Sequence, residues 1–210
     1  MFTTVARHRA AGPTLAVCAA TFAVFSLFWT SLTYLLTTPP FSFSVSRIGP
    51  LGLVGLAGAL AARRAGALHD RGWSVPATGI GLSLLGLSLA AAWAGGNSIV
   101  ALIIVVIVLD IAAQTILVLG QTRPFALPGS ARTRLNTAFV VGNFLGGALG
   151  SAIAEPLWVA DGWTAITIAS LAFTLGGLVV WSLARGRLAD TGPQEDAPSS
   201  PHADAPTAGR

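Results

Sequence analysis

One carboxylate lies far from any polar surroundings. Asp110 sits near the middle of an apolar run of residues 98–120, with Gln114 one helical turn on and Gln121 two turns further. At helical spacing the three share a face. A charge at the centre of a spanning helix costs about 2.5–3.5 kcal/mol on insertion scales, so that face must look into a protein interior or a water-filled path. The chemistry open to it is proton carriage or contact with a solute, and a structural hydrogen bond to a neighbouring helix is the alternative. Asn136 and Asn143, seven residues apart in a later run, could present amides to Asp110 or Gln114. A second polar set is Asp70 and Arg71 in one connection and Arg132 and Arg134 in another, where an ion pair could gate a path. Anchoring to lipid phosphate is the plainer use of those arginines. His8, His69 and His202 are scattered, and there is no Walker sequence, dinucleotide fingerprint or nucleophile elbow, so neither a metal site, an ATPase nor a hydrolase is indicated, and no cofactor is implied.

These residues are positioned by long apolar blocks. Of 210 residues, 53% are hydrophobic and 10% charged, with mean hydropathy +0.73. Soluble domains carry about 25% charged residues, too many for this chain to match. Blocks near 20 residues suit helices crossing about 30 Å of hydrocarbon. Six are legible, at about 14–36, 45–62, 75–94, 98–120, 136–157 and 163–184. The β-branched run at 103–108 would suggest a strand in water, but a spanning segment must satisfy its backbone internally and is read as helix. The first block is too long for a signal peptide and reads as the first span. The expected fold is therefore all-α, a polytopic membrane protein whose six-helix bundle occupies residues 1–188. Residues 189–210, poor in apolar residues, are expected to form a disordered cytoplasmic tail.

Charge orients the bundle. The formal net charge is +4 and the pI about 11.0, with every basic residue an arginine. The arginines fall between the blocks and not along one stripe, which argues against nucleic acid as a partner. With six spans, Arg7, Arg9, Arg63, Arg64, Arg71, Arg123, Arg132, Arg134, Arg185, Arg187 and Arg210 share a side, and Arg47 alone takes the other. Cytoplasmic termini in a cell inner membrane follow from the positive-inside rule. Trp73, Trp93, Trp158, Trp163 and Trp181 lie near block ends, where indoles favour the headgroup level. Gly142, Gly146 and Gly150 repeat every four residues, and Gly49, Gly52, Gly55 and Gly58 every three, as closely packed spanning helices require. The single Cys18 offers no disulfide and reads as a small packing residue.

Three stretches resemble the major facilitator superfamily. Gly66-Ala-Leu68-His-Asp70-Arg71 is similar to that family's cytoplasmic loop Gly-x-Leu-x-Asp-Arg-x-Gly-Arg, although Trp73 and Ser74 replace the final Gly-Arg. Phe28-Trp29-Thr30 through Tyr34 to Pro39-Pro40-Phe41 resembles a seventh helix and its exit. Asp110, Gln114, Gln121, Arg123, Arg132, Arg134, Asn136 and Thr137 resemble helix ten, its loop and the start of helix eleven. The likeness covers roughly residues 10–184 and is to bacterial drug or sugar efflux permeases. It implies a C-terminal six-helix half of a non-enzymatic transporter that moves a small solute by alternating access, with proton-coupled efflux. Its partners would be the lipid bilayer and a second six-helix bundle, either a missing N-terminal half or another copy. It also implies that Gly66, Asp70 and Arg71 belong to a state-reporting loop. A non-transporting scaffold or assembly subunit with the same fold is the alternative.

Overall fold

The computed structural model describes residues 11–54, 58, 64–68, 70–122 and 129–189. Every regular element among them is helical: α1 (Ala11–Thr37), α2 (Val45–Ile48), α3 (Leu51–Val54), α4 (Ser74–Gly95), α5 (Ile99–Thr122) and α6 (Gly129–Ala189). Residues 64–68 add a short helical piece. Among the described residues, four helices are long and apolar enough to cross a membrane, as in a polytopic membrane protein. Exposed leucines, isoleucines and valines cover their outer faces, with Leu87, Leu145 and Leu183 each at least 67% exposed, a surface suited to lipid and not to water.

Local chemistry sets the ends. α1 stops at Thr-Thr-Pro-Pro, where Thr37 Oγ1 donates to the Thr33 carbonyl (2.9 Å) and Thr38 Oγ1 to that of Tyr34 (3.0 Å), each hydroxyl satisfied by a carbonyl about one turn back. α4 and α5 form a hairpin through Gly96-Asn97. Ser98 caps α5, its Oγ accepting from the Ala101 amide at 3.4 Å. The run at 103–108 is helix inside α5. At 61 residues α6 would be about 90 Å long if straight. It is two limbs, 129–160 and 163–189, because Asp161 and Gly162 leave helical geometry (Gly162 φ +53°, ψ −135°).

The core lies between α1, α4, α5 and the second limb. Phe28, Leu32 and Leu36 of α1 meet Leu82, Leu85 and Leu89 of α4 and Leu102, Val106 and Leu109 of α5. Contacts also give each helix its direction. Trp29 faces Asp110 while Cys18 faces Ile116, so α1 and α5 are antiparallel. Gly81 lies against Ile116 and Gly95 against Ala101, so α4 and α5 are antiparallel too. α1 and α4 are therefore parallel. The chain between Thr37 and Ser74 must travel from one end of the bundle back to the other, and Gly58 lies on Asp110 partway along. Gly146 and Gly150 face Ala19 and Ala23, so the first limb is parallel to α1, and the second limb returns with Trp163 beside Phe28.

Several expectations change. The second block breaks at Gly49-Pro50, where the Gly52 and Leu53 amides bond to the carbonyls of Gly49 and Pro50, because proline cannot donate into a continuous helix. Most of the remainder of that block lies outside the described residues. Helix begins at Gly129 and not near 136, which puts Arg132 and Arg134 on the first limb and not in a loop. Helix also continues to Ala189, past the expected end at 184. Residues 190–210 lie outside the described residues.

Candidate functional site

Asp110 is 2% exposed, on the face of α5 that packs into the core. Its Oδ1 accepts a hydrogen bond from Trp29 Nε1 at 3.1 Å. An indole can only donate, so this bond ties the two helices with the carboxyl in the acceptor role. Trp29 is in turn braced by Phe25, their ring centroids 6.3 Å apart.

The other wall is a glycine. A Cβ on Gly58 would stand 3.1 Å from Asp110 Cβ, 3.1 Å from Gln114 Cγ and 3.2 Å from the Asp110 carbonyl oxygen. A side chain there would have to displace its neighbours by a few tenths of an ångström, so Gly58 lies closely against the face that carries Asp110 and Gln114. Three parts of the chain thus meet at Asp110: α1 by a hydrogen bond to its carboxyl, α5 by covalency, and Gly58 by close approach to its Cβ and backbone carbonyl. Gln114 is half-buried one turn along. A carboxyl and a carboxamide on one helix, closed off by an aromatic ring and a backbone, can hold a proton or a hydrogen-bonding solute if the Gly58 segment moves aside.

Other expected residues are placed separately. Asn143 is on the first limb, its Oδ1 buried without a partner, and it makes no bond to Asp110 or Gln114. Gly146 and Gly150 take the backbone of Ala19 and Ala23 where a Cβ would collide, whereas Gly142 has nothing within 4 Å. Gly66 is also open. Asp70 and Arg71 follow the 64–68 helical piece, which ends with Gly72 at φ +74° and the Trp73 amide bonded to the Leu68 carbonyl at 2.9 Å. That six-to-one bond around a left-handed glycine is a Schellman stop. Asp70, Arg71 and Arg134 are exposed, and among the described residues no ion pair joins Asp70 to Arg134. The Arg132 side chain lies outside the described residues.

Trp29 and Gly58 stood in the sequence as part of a resembling stretch and of a glycine ladder, but neither pattern linked them to Asp110. A signal for Trp29 existed: five of the six tryptophans lie near block ends, and this one is in mid-block, where a buried N–H needs an acceptor. A groove of about 380 Å³ between α1 and the second limb is lined by alanine, glycine, phenylalanine and valine and offers no polar side chain.

Comparison with known proteins gives transporters. The chain is 44% identical over 161 residues to "Uncharacterized transporter YgaY" of Escherichia coli O157:H7, covering 77% of this chain and 41% of that protein. It is 35% identical over 143 residues to "Probable transporter SCO4007" of Streptomyces coelicolor, covering 68% of this chain and 33% of that protein. The chain thus spans about two fifths or less of the length of these relatives. No protein-family model and no solved structure matches.

Proposed function

We propose that the chain is one six-helix half of a solute transporter, similar to the C-terminal half of a major facilitator protein and working by proton-coupled alternating access in the direction of efflux. The observation that carries the reading is the buried Asp110, its carboxyl tied to Trp29 and its Cβ and backbone closely approached by Gly58. A carboxyl kept inside an apolar bundle, on a face closed by a glycine contact, is what a coupling site requires. The transporter names of the relatives support the class, and their greater length supports a second bundle, as a further chain or another copy, completing the path.

Six crossings are supported by the parallel course of α1 and α4, which requires one traverse between Thr37 and Ser74, and by the two limbs of α6. In this reading Asp110 carries the coupling proton. Gln114 and Asn143 contact the solute, and Asp70, Arg71, Arg132 and Arg134, with Gly66, form the cytoplasmic gate. The chain lies in the inner membrane with both termini cytoplasmic, supported by eleven arginines on that side against Arg47 on the other.

The test is uptake into everted membrane vesicles containing the chain, screened with labelled sugars and lipophilic amines under an imposed pH gradient. Gradient-dependent uptake that disappears in Asp110→Asn is expected. Inserted protein that moves none of them, with or without the gradient, would make a membrane scaffold or assembly subunit the better reading.

A further inference from the structure

Two carboxamides lie within the apolar helices without a partner. Asn143 of the first limb and Gln114 of α5 are each half-buried, and among the described residues neither makes a hydrogen bond. An amide side chain has two donors and an acceptor. Hydrocarbon satisfies none of them, so protein or water must. Hydroxyls differ, because they can donate to their own helix. Ser83 bonds to the Gly79 carbonyl, Ser182 to that of Val179 and Thr33 to that of Trp29.

The two amides are on one side of the bundle. α1 shows a half-exposed stripe at helical spacing, formed by Phe22, Phe25, Ser26 and Trp29. At one end of it Trp29 bonds to Asp110, one turn from Gln114. At the other end Phe22 meets Phe144 edge-on at 6.4 Å, and Gly147, one turn from Asn143, lies against Phe22 and Ser26. The stripe is therefore flanked by α5 and by the first limb, and each flank carries one amide.

Their depths match as well. Gly120 of α5 lies against Phe139 of the first limb. From that level toward the Thr37 end, Gln114 is six residues along α5 and Asn143 four along the limb, or about 9 and 6 Å at the helical rise. The opposite side of the bundle is apolar. There α4 and the second limb expose Ile80, Leu87, Ile168 and Leu175, which suit lipid.

What covers the amide side must answer carboxamides, and a carboxamide is its own complement because it donates and accepts at once. A twofold axis along the membrane normal, placed at the α1 stripe, keeps two copies inserted the same way. It also turns α5 of one protomer toward the first limb of its partner. Gln114 then meets the partner's Asn143 at similar depth, and the pair occurs twice. The relatives are more than twice as long as the stretch matched to this chain, which leaves room in them for a second bundle of this size.

We infer that the side of α1 flanked by Gln114 and Asn143 docks a second copy of this chain through two reciprocal amide pairs. The inference rests on the half-transporter reading for its second bundle and identifies that bundle as a copy. Because the same amides are assigned there to the solute, the pairs belong to the solute-free protein, which is the state tested.

The test reads association of the full 210-residue chain in lipid vesicles and not transport, so either reading can fail alone. With Cys18→Ala as background, single cysteines replace Thr33, exposed one turn past Trp29 on the stripe, or Leu87 on the apolar side. Oxidation should cross-link Thr33→Cys into a dimer and leave Leu87→Cys monomeric. Gln114→Leu/Asn143→Leu should weaken dimerisation at least tenfold, read by energy transfer on dilution in lipid. The exchange Gln114→Asn/Asn143→Gln should keep most of it. A monomer at every dilution, equal cross-linking from both sides, or a leucine double variant that dimerises like the unmodified chain overturns the inference. If that variant fails to insert, Gln114→Leu and Asn143→Leu decide singly by the same comparison. A Thr33→Cys cross-link to a different polypeptide in native membranes would also overturn it, and would give this side to another bundle.

Discussion

Trp29 and Asp110, eighty-one residues apart in the chain, are joined by a single 3.1 Å hydrogen bond between α1 and α5. The donor is fixed by the indole, so variants can separate loss of charge from loss of the bond. Asp110→Asn keeps an acceptor oxygen and should leave the folded bundle close to its native stability. Asp110→Leu strands the indole N–H, and Trp29→Phe strands the carboxyl; each should cost about 1–3 kcal/mol, the penalty for an unsatisfied buried group. Unfolding in mixed detergent micelles measures this. Equal losses in the Asn and Leu variants would show that the bond contributes nothing.

Gly58 tests whether the contact on Asp110 is a close fit. Its Cβ would lie 3.1 Å from two side-chain atoms, so Gly58→Ala needs only a small shift and should cost about 1 kcal/mol, whereas Gly58→Leu should reach the 1–3 kcal/mol or more of overpacking. If Gly58→Leu unfolds at the same detergent fraction as the unmodified chain, the segment does not press on α5.

The three-glycine ladder of the first limb should split. Gly146→Leu and Gly150→Leu each drive a side chain into the α1 backbone and should abolish native packing, while Gly142→Leu, with open space around it, should be tolerated. Protease resistance of the membrane-inserted chain reports the difference. Similar sensitivity at all three positions would mean that the ladder packs as a unit, against the geometry.

How much was legible in the sequence follows from which forces act locally. Block lengths gave α4 and α5 nearly to the residue, because Gly96-Asn97 and Ser98 are local signals. The start of the first limb was not legible: Arg132 and Arg134 look like loop residues, yet arginine has high helix propensity and extends a helix past the hydrocarbon edge. Gly146 and Gly150 were recognisable as packing residues, but Gly142 carries the same spacing without a neighbour, since periodicity marks a face and not what covers it. Asp110 announced itself by cost. Trp29 required knowledge of which helix lies opposite, which no local pattern contains.

At Asp70 the local geometry separates stability from gating. The residue lies in the last turn before the Gly72 stop, where carbonyls already present partial negative charge, so its carboxylate gains nothing from the helix end. Asp70→Asn should therefore leave unfolding unchanged. If the gate reading holds, it should alter maleimide labelling of a cysteine placed at Thr137, an exposed position of the first limb. Gly72→Ala should instead destabilise by about 1 kcal/mol, because φ +74° strains any residue with a Cβ. Identical labelling rates with and without Asp70 would leave a solvated loop carboxylate.

The direction of the chain supplies the last prediction: it fixes which connections share a side, and the arginines fix which of the two sides is cytoplasmic. α5 is antiparallel to α1 and to α4, so α1 and α4 point the same way, and Thr37 and Ser74 lie at opposite ends of the bundle. Thirty-six residues join them. About 20 helical residues cross the hydrocarbon, so that connection is long enough to cross once and leave loops on both sides, even with the break at Gly49-Pro50. A re-entrant loop returning to the Thr37 end would instead leave α4 antiparallel to α1, contrary to the Trp29–Asp110 and Gly81–Ile116 contacts. Reporter fusions after residues 42, 96 and 160 should therefore read periplasmic, and those after residues 68, 128 and 190 cytoplasmic. The decisive pair is 42 and 68, which flank the disputed crossing. Matching readings there would remove one span, reverse every later helix relative to α1, and break the parallel fit of Gly146 and Gly150 on Ala19 and Ala23.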